Sequence, residues 1–195
     1  MMKGTAIALV FTFGASPFLF GILRPGREAR LPVPAGAEVC TPEAAPSQPK
    51  KKVAFLTPVA AKKEVNVTLV ATYDDNNHGM NFNGHSKGSA TYKIPTGWKV
   101  NVTFENWSPV PHSLIVVEDR TVRKPQMGEP YFDGAVTPDA HLATAPKEAK
   151  FSFTPDEAGD FAFACGFPAH AASGHWIKLE VSDDFEKPEY LTKGK

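Results

Sequence analysis

The stretch that decides how this chain is interpreted is FAFACGFPAHAASGHW, residues 161–176. The two alternate phenylalanines and Cys165 are spaced by two, so in a β-strand they share one face and the sulfur points toward the core. A loop that contains Gly and Pro then brings His170 back near that sulfur. The loop ends at His175, and a second alternating strand follows it. The stretch therefore predicts two strands joined by a short loop that carries three potential metal ligands.

The ligand set on this loop is one thiolate with imidazoles, which is soft and nitrogen-rich and suits copper that cycles between two oxidation states. His112 is the natural third equatorial donor, because it lies between a predicted strand and the apolar run Leu114–Val117. Zinc is the competing ion, since Cys and two His with an open position resemble some catalytic zinc sites. The β-rich, hydrophobic surroundings favour copper. We predict one copper ion per chain, held by His112, Cys165 and His170.

Each of these residues alone has a simpler structural interpretation. A lone His near an apolar strand is usually structural, and a buried Cys in a Phe-rich strand is usually core. The chain has one other cysteine, Cys40, and a disulfide between the two is the simple interpretation for an exported protein. The order His, strand, Cys, loop, His has no packing reason to occur, so metal binding is the preferred hypothesis.

Short segments with an apolar period of two continue from Glu64 onward. The strand candidates are 64–70, 100–105, Ser113–Val117, Lys150–Thr154, Asp160–Cys165 and Trp176–Val181. Gly, Pro and Ser separate them, and 118–149 has no clear period. Several short alternating strands separated by turns predict an all-β protein, a β-sandwich.

The N-terminal third has a different composition. Residues 1–23 are largely apolar, with no charge from Thr5 to Leu23, which is near the roughly 20 residues that span a bilayer. We predict a membrane anchor there, with a cleaved signal segment as the alternative. Residues 24–63 form a Pro/Ala/Lys-rich linker, 64–182 the copper domain and 183–195 a frayed polar tail.

The formal net charge of zero hides an asymmetry along the chain. Residues 1–63 carry nine Lys/Arg and three Asp/Glu, whereas 64–195 carry twelve Lys/Arg and eighteen Asp/Glu. An acidic domain does not neutralise phosphates, so nucleic acid is excluded as a partner. A basic protein partner is compatible with this charge.

The loop is similar to the cupredoxin pattern Cys-x4-His-x4-Met, of the length used by rusticyanin and sulfocyanin. Further matching motifs are Phe82-Asn83-Gly84, Ile94-Pro95-Thr96-Gly97-Trp98, 100–106, Pro111-His112-Ser113 and 165–174 with Trp176. Over 64–182 the chain resembles the sulfocyanins, which also have an apolar N-terminal segment, a low-complexity linker and one copper domain. The resemblance implies a cupredoxin Greek-key β-sandwich with His112, Cys165 and His170 as equatorial ligands.

The departure from the family pattern is His175, which stands where Met is expected. His175 either turns outward, leaving three protein ligands, or binds copper as a fourth ligand. Imidazole is a stronger donor than a thioether, so ligation by His175 predicts a lower reduction potential and a green or red protein. Met80 and Met127 are conceivable alternative axial donors, although their spacing does not support them.

These features predict an electron carrier and not an enzyme. The resemblance implies a membrane-tethered protein at the outer face, periplasmic or extracellular, that shuttles single electrons between respiratory partners such as a cytochrome or a terminal oxidase. The alternative is a nitrosocyanin-like copper enzyme or sensor that binds a small exogenous ligand. Ser113 is predicted to hydrogen-bond toward the thiolate. The remaining histidines after residue 64, His78, His85 and His141, are interpreted as solvated.

Overall fold

The computed structural model describes residues 53–141 and 147–193. Within these residues nine strands and three short 3-10 turns are present, and the strands form two sheets. The strands are β1 Leu56–Val59, β2 Glu64–Ala71, β3 Ala90–Pro95, β4 Lys99–Asn106, β5 Ile115–Glu118, β6 Glu148–Phe153, β7 Gly159–Ala164, β8 Trp176–Ser182 and β9 Glu189–Thr192. The 3-10 turns are Ala60–Lys62, Asn76–Gly79 and Asp119–Thr121.

The first sheet has the order β1-β2-β4-β6 and the second β5-β7-β8-β3-β9. β2 pairs parallel with β4, and β3 pairs parallel with β8, whereas the remaining pairs are antiparallel. Parallel neighbours cannot be joined by a tight hairpin, so the chain passes between the sheets. The prediction of an all-β, two-sheet sandwich is confirmed.

The core forms because the period-two pattern places one face of each strand against the opposite sheet. In β4 the buried positions alternate with half-buried or exposed ones, and β2 does the same until its last three residues, which are all buried. The main cluster draws apolar side chains from both sheets, including Val65, Val67, Leu69, Val102, Phe104, Tyr92, Ile94, Phe163, Ile177 and Leu179. A second cluster covers the other face of β5 and β7 with Ile115, Val117, Val122, Met127, Ala162, Ala164 and Ala171.

Three strands lie where no strand was predicted. β1 falls inside the segment 24–63 that was interpreted as a linker, and it pairs antiparallel with β2. For β3 only the turn at its C-terminal end was predicted, although this strand pairs with both β8 and β9. The interpretation of 183–195 as a frayed tail is wrong for β9, which pairs with β3 and places the half-buried Tyr190 against the core.

Strand ends from both sheets meet at one end of the sandwich. Ala71 pairs with Asn106 where β2 and β4 end, and Ala164 at the end of β7 pairs with Ile115 and Trp176, the first residues of β5 and β8. The loops that leave these ends carry the predicted metal ligands. In 53–141 and 147–193 no helix has the length and apolar character needed to cross a bilayer, and the apolar segment 1–23 lies outside the described residues.

Candidate metal centre

Four side chains from two loops converge at this end of the sandwich, one from the β4–β5 loop and three from the β7–β8 loop. They are His112, Cys165, His170 and His175, and their potential ligand atoms all lie within 4.8 Å of one another. Cys165 Sγ is 3.4 Å from His170 Nδ1 and 4.0 Å from His112 Nδ1. Cys165, His112 and His175 are buried, whereas His170 is half-buried. The predicted residues are thus brought together in space, including the His that replaces the expected Met.

The loop between β7 and β8 is held by its own backbone. The N–H of Cys165 donates to the carbonyl of His175 over 3.0 Å, which extends the strand pairing past the ends of β7 and β8. The N–H of His175 in turn donates to the carbonyl of His170 over 3.0 Å. Gly174 has a φ of +102°, a conformation that a side chain would strain, and it turns the chain into His175. The three ligands of this loop are therefore fixed relative to one another.

His175 is oriented by the main chain of a distant segment. Its Nε2 lies 3.1 Å from the backbone carbonyl oxygen of Asn81. A carbonyl oxygen only accepts, so Nε2 carries the proton and Nδ1 keeps a free lone pair. Nδ1 is buried and has no hydrogen-bond partner. A buried polar nitrogen without a partner is costly, and a metal ion bound at Nδ1 would satisfy it.

His112 and His170 also turn Nδ1 toward the thiol. The Nε2 of His112 lies 3.2 Å from the Thr72 hydroxyl oxygen, on the side of the ring away from Cys165. The ring of His170 packs on Phe167 with centroids 4.4 Å apart. Phe82 covers the ring of His175 with centroids 4.3 Å apart. His112 and His170 thus direct Nδ1 toward the sulfur, and in His175 Nδ1 is the nitrogen left without a partner.

Burial raises the pKa of the Cys165 thiol, and hydrogen bonds from the backbone of Ser113 and Phe167 act in the opposite direction. The Ser113 hydroxyl oxygen is 4.0 Å from Sγ, but its proton is donated to the carbonyl of Ala140 over 2.7 Å. The same oxygen accepts the N–H of Gly166 over 3.0 Å. The hydroxyl of Ser113 therefore ties down the turn after Cys165, whereas the predicted hydrogen bond toward the sulfur comes mainly from the backbone of Ser113.

The imidazoles are kept neutral by their surroundings. Burial, reinforced by His170, lowers the pKa of His112 to about 4. Burial also lowers the pKa of His170, and it lowers that of His175 well below the ordinary value, with His112 and His170 adding to the effect. Neutral imidazole is the form that binds metals. The donor set, one thiolate and three neutral imidazoles in an enclosed site, fits copper.

The other candidates from the sequence lie elsewhere. Met127 packs in the second apolar cluster. Cys165 is a free cysteine, and Cys40 lies outside the described residues. His78 is exposed, as expected, and His141 is half-buried with Nδ1 3.2 Å from Gln126 Nε2. His85 is half-buried against the ring of Tyr190, so its interpretation as a solvated residue is wrong. Thr72 and Asn81, which orient two of the imidazoles, were not anticipated, and no motif in the sequence marks them.

The family model described as Sulfocyanin (SoxE) domain matches residues 52–192. The chain is 33% identical over 138 residues to sulfocyanin from Sulfolobus acidocaldarius. This alignment covers 66% of this chain and 69% of that protein. It is 30% identical over 188 residues to rusticyanin from Acidithiobacillus ferrooxidans, which covers 91% of each. Among solved structures, reduced rusticyanin aligns with a TM-score of 0.42 at 26% identity, over 61% of this chain and 77% of that one. Auracyanin A from Chloroflexus aurantiacus aligns with a TM-score of 0.42 at 17% identity, over 60% and 98%.

The two-sheet β-sandwich, with a cysteine and three histidines gathered at one end, together with the family match and the sulfocyanin and rusticyanin relatives, defines a cupredoxin, a class of electron-transfer protein that binds one copper ion. Within that class, the chain belongs to the sulfocyanin family. Its cofactor is therefore copper, and its function is electron transfer with redox partners.

Proposed function

We propose that His112, Cys165 and His170 are the equatorial ligands of the copper ion and that His175 is the fourth ligand. The observation that carries the proposal is the convergence of four potential ligand atoms within 4.8 Å, from residues that include His175, whose buried Nδ1 has no hydrogen-bond partner. A bound copper ion supplies a one-electron couple between Cu(I) and Cu(II). The protein contributes a ligand set that is already assembled, so little rearrangement accompanies a change of charge at the site.

His175 sets the character of this centre. Imidazole donates more strongly than the thioether of Met, so ligation by His175 Nδ1 favours Cu(II) and lowers the reduction potential. It also competes with the thiolate for the ion, which weakens the copper–sulfur bond and alters the colour from blue toward green or red. The ring is fixed on one side by Asn81 and on its face by Phe82, which supports a ligand held in place.

The route for electrons is proposed to start at His170. The other three ligand side chains are buried, whereas His170 is half-buried beside the exposed Pro168 and Ala169. A redox partner that contacts this apolar rim would approach the centre most closely through the His170 ring. The burial of the remaining ligands keeps water and small oxidants away from the thiolate.

The protein is further proposed to act in a respiratory chain, at the outer face of a membrane, with a cytochrome or terminal oxidase as partner. This proposal rests on the sequence of the apolar segment 1–23 and on the linker composition of the residues before β1. Most of these residues lie outside the part of the chain that the structure describes. Membrane fractionation of cells that express the full chain, compared with a variant lacking 1–23, tests the anchor. Recovery of both forms in the same soluble fraction would contradict it.

Electron transfer by a closed site is tested by absorption and EPR spectra of the copper-loaded protein, with and without azide or nitric oxide. A reversible one-electron couple and spectra indifferent to both additives are expected. A new band or a changed EPR signal on addition of either ligand would indicate an open coordination position and the ligand-binding enzyme or sensor.

A further inference from the structure

Thr72 has a backbone conformation that its residue type disfavours. It follows the last residue of β2 and has a φ of +58°, in the left-handed region. A β-branched side chain is a genuine outlier there, whereas Gly or Asn adopts such a φ readily. Strained residues of this kind persist where their surroundings fix them, and they cluster at functional sites. The side chain of Thr72 is therefore expected to make a contact that a glycine at this position could not make.

The hydroxyl of Thr72 connects one imidazole to the main chain. Its oxygen lies 2.9 Å from the carbonyl oxygen of Gly79 and 3.2 Å from His112 Nε2. The carbonyl only accepts, so the hydroxyl proton goes to Gly79 and the hydroxyl oxygen accepts the N–H of His112. This arrangement protonates His112 at Nε2 and leaves its Nδ1, the nitrogen 4.0 Å from Cys165 Sγ, free.

The backbone of Thr72 reaches the second imidazole. Its N–H donates over 3.0 Å to the carbonyl oxygen of Asn81, which is the atom that accepts the Nε2–H of His175. The side chain of Asn81 is buried and makes four further hydrogen bonds within the same loop, to the backbone of Tyr73, Asp74, Asn76 and Gly84. The carbonyl oxygen that holds His175 is therefore fixed by Thr72 from one side and by the Asn81 side chain from the other.

We propose that Thr72 is a positioning residue of the metal centre, whose hydroxyl orients His112 and whose N–H supports the carbonyl that orients His175. The proposal rests on the proposed function, in which both histidines are copper ligands. Groups that hydrogen-bond to the far nitrogen of a ligating His fix its tautomer and orientation, and their loss reduces metal affinity about 10- to 100-fold.

Three substitutions separate the effect of losing the hydroxyl from the effect of relieving the backbone strain. Thr72→Val keeps the shape and removes the hydroxyl, Thr72→Ser keeps the hydroxyl, and Thr72→Gly removes the hydroxyl and relieves the φ. Copper affinity is measured by competition with a chelator, the thiolate charge-transfer band by absorption, and the imidazole tautomers of the apo protein by long-range ¹H–¹⁵N spectra. We expect Thr72→Val and Thr72→Gly to bind copper about 10-fold or more weakly, with a shifted band, and Thr72→Ser to resemble wild type.

Thr137→Val is the matched control. Thr137 is also buried, and its hydroxyl bonds to the backbone of Leu114 over 3.1 and 3.2 Å without contacting an imidazole. This variant is expected to lose stability with its copper spectrum unchanged. If Thr72→Val does not fold, Thr72→Gly carries the test, with the same loss of affinity expected.

Wild-type affinity and an unshifted band in both Thr72→Val and Thr72→Gly would overturn the positioning role alone. A wild-type protein with no copper–thiolate band at all would overturn the proposed function and this proposal with it. The wild-type spectrum therefore tells the two failures apart.

Discussion

The imidazole of His175 is held by the carbonyl oxygen of Asn81, 94 residues earlier in the chain, with Nε2 3.1 Å from that oxygen. The contact settles which ring nitrogen is protonated, because a carbonyl offers no proton. It leaves a buried Nδ1 whose hydrogen-bonding capacity nothing in the described protein satisfies. Nδ1 of His175 is therefore an oriented, unprotonated nitrogen, as the proposed fourth ligand of the centre would need to be.

His175→Met is expected to restore the blue spectrum of a thioether-ligated centre and to raise the reduction potential, because a weaker axial donor stabilises Cu(II) less. Each tenfold change in the relative affinity for the two oxidation states moves a one-electron potential by about 59 mV. Cyclic voltammetry and absorption spectra measure both effects. The control is His85→Met, at a half-buried His outside the cluster. A blue wild-type protein whose thiolate band is unchanged in His175→Ala would refute axial ligation.

Ser113→Ala is expected to destabilise the protein with little change in the copper spectrum. The substitution leaves the N–H of Gly166 and the carbonyl of Ala140 without their partner, and a buried unpaired group costs about 1–3 kcal/mol. Denaturant unfolding measures the change, with the exposed Ser152→Ala on β6 as control. A large shift of the thiolate band without loss of stability would instead support direct donation from Ser113 to sulfur.

The apo protein is expected to lose stability as the pH falls from about 6.5 toward 4. The unfolded chain protonates His112 near the ordinary pKa of 6.5, whereas burial lowers its folded pKa to about 4. Between these values the unfolded state binds more protons, so the free energy of unfolding decreases as pH decreases. Denaturant titrations of the apo protein at several pH values test this.

His112→Asn, which removes the titrating group, should weaken the pH dependence. The folded chain brings the neutral imidazoles and the thiol together, so copper should bind it more tightly than the unfolded chain, and the loaded protein should unfold at a higher denaturant concentration than the apo protein. Apo stability that is constant from pH 7 to pH 4 would contradict the burial of His112.

Tyr190→Ala is expected to destabilise the domain by about 2 kcal/mol, since large-to-small changes in a full core cost about 3–5 kcal/mol for aromatics and Tyr190 is only half-buried. Its ring lies 4.5 Å from that of Tyr92 and 5.8 Å from that of Phe55. Leu191→Ala, at the next residue of β9, is the control because Leu191 is 45% exposed. If both variants left the free energy of unfolding nearly unchanged, the interpretation of 183–195 as a frayed tail would be supported instead.

The sequence was sufficient to predict which four residues cluster at the candidate metal centre and most of the strands. Cys165 and His170 lie on one short loop, so local spacing places them together. β2, β4 and β8 alternate over six to eight residues, long enough for the period of two to be recognised. β3 carries the same signal in Ala90, Tyr92 and Ile94 and could have been found by it.

β1 and β9 could not be predicted in the same way. Each has four residues with half-buried or exposed positions only, so neither displays an apolar period, and β1 also contains a proline. They are strands because each pairs with the edge of a longer strand, β1 with β2 and β9 with β3. The roles of Thr72 and Asn81 depend on main-chain groups, which every residue carries, so residue type alone gave no indication of them.

The ligation of copper by His175 is tested most directly by a crystal structure or X-ray absorption spectrum of the copper-loaded protein. We predict one sulfur and three nitrogen ligands, with Nδ1 of His175 within bonding distance of the ion and Nε2 still hydrogen-bonded to Asn81. A centre with one sulfur and two nitrogens, and with His175 Nδ1 beyond bonding distance, would contradict it.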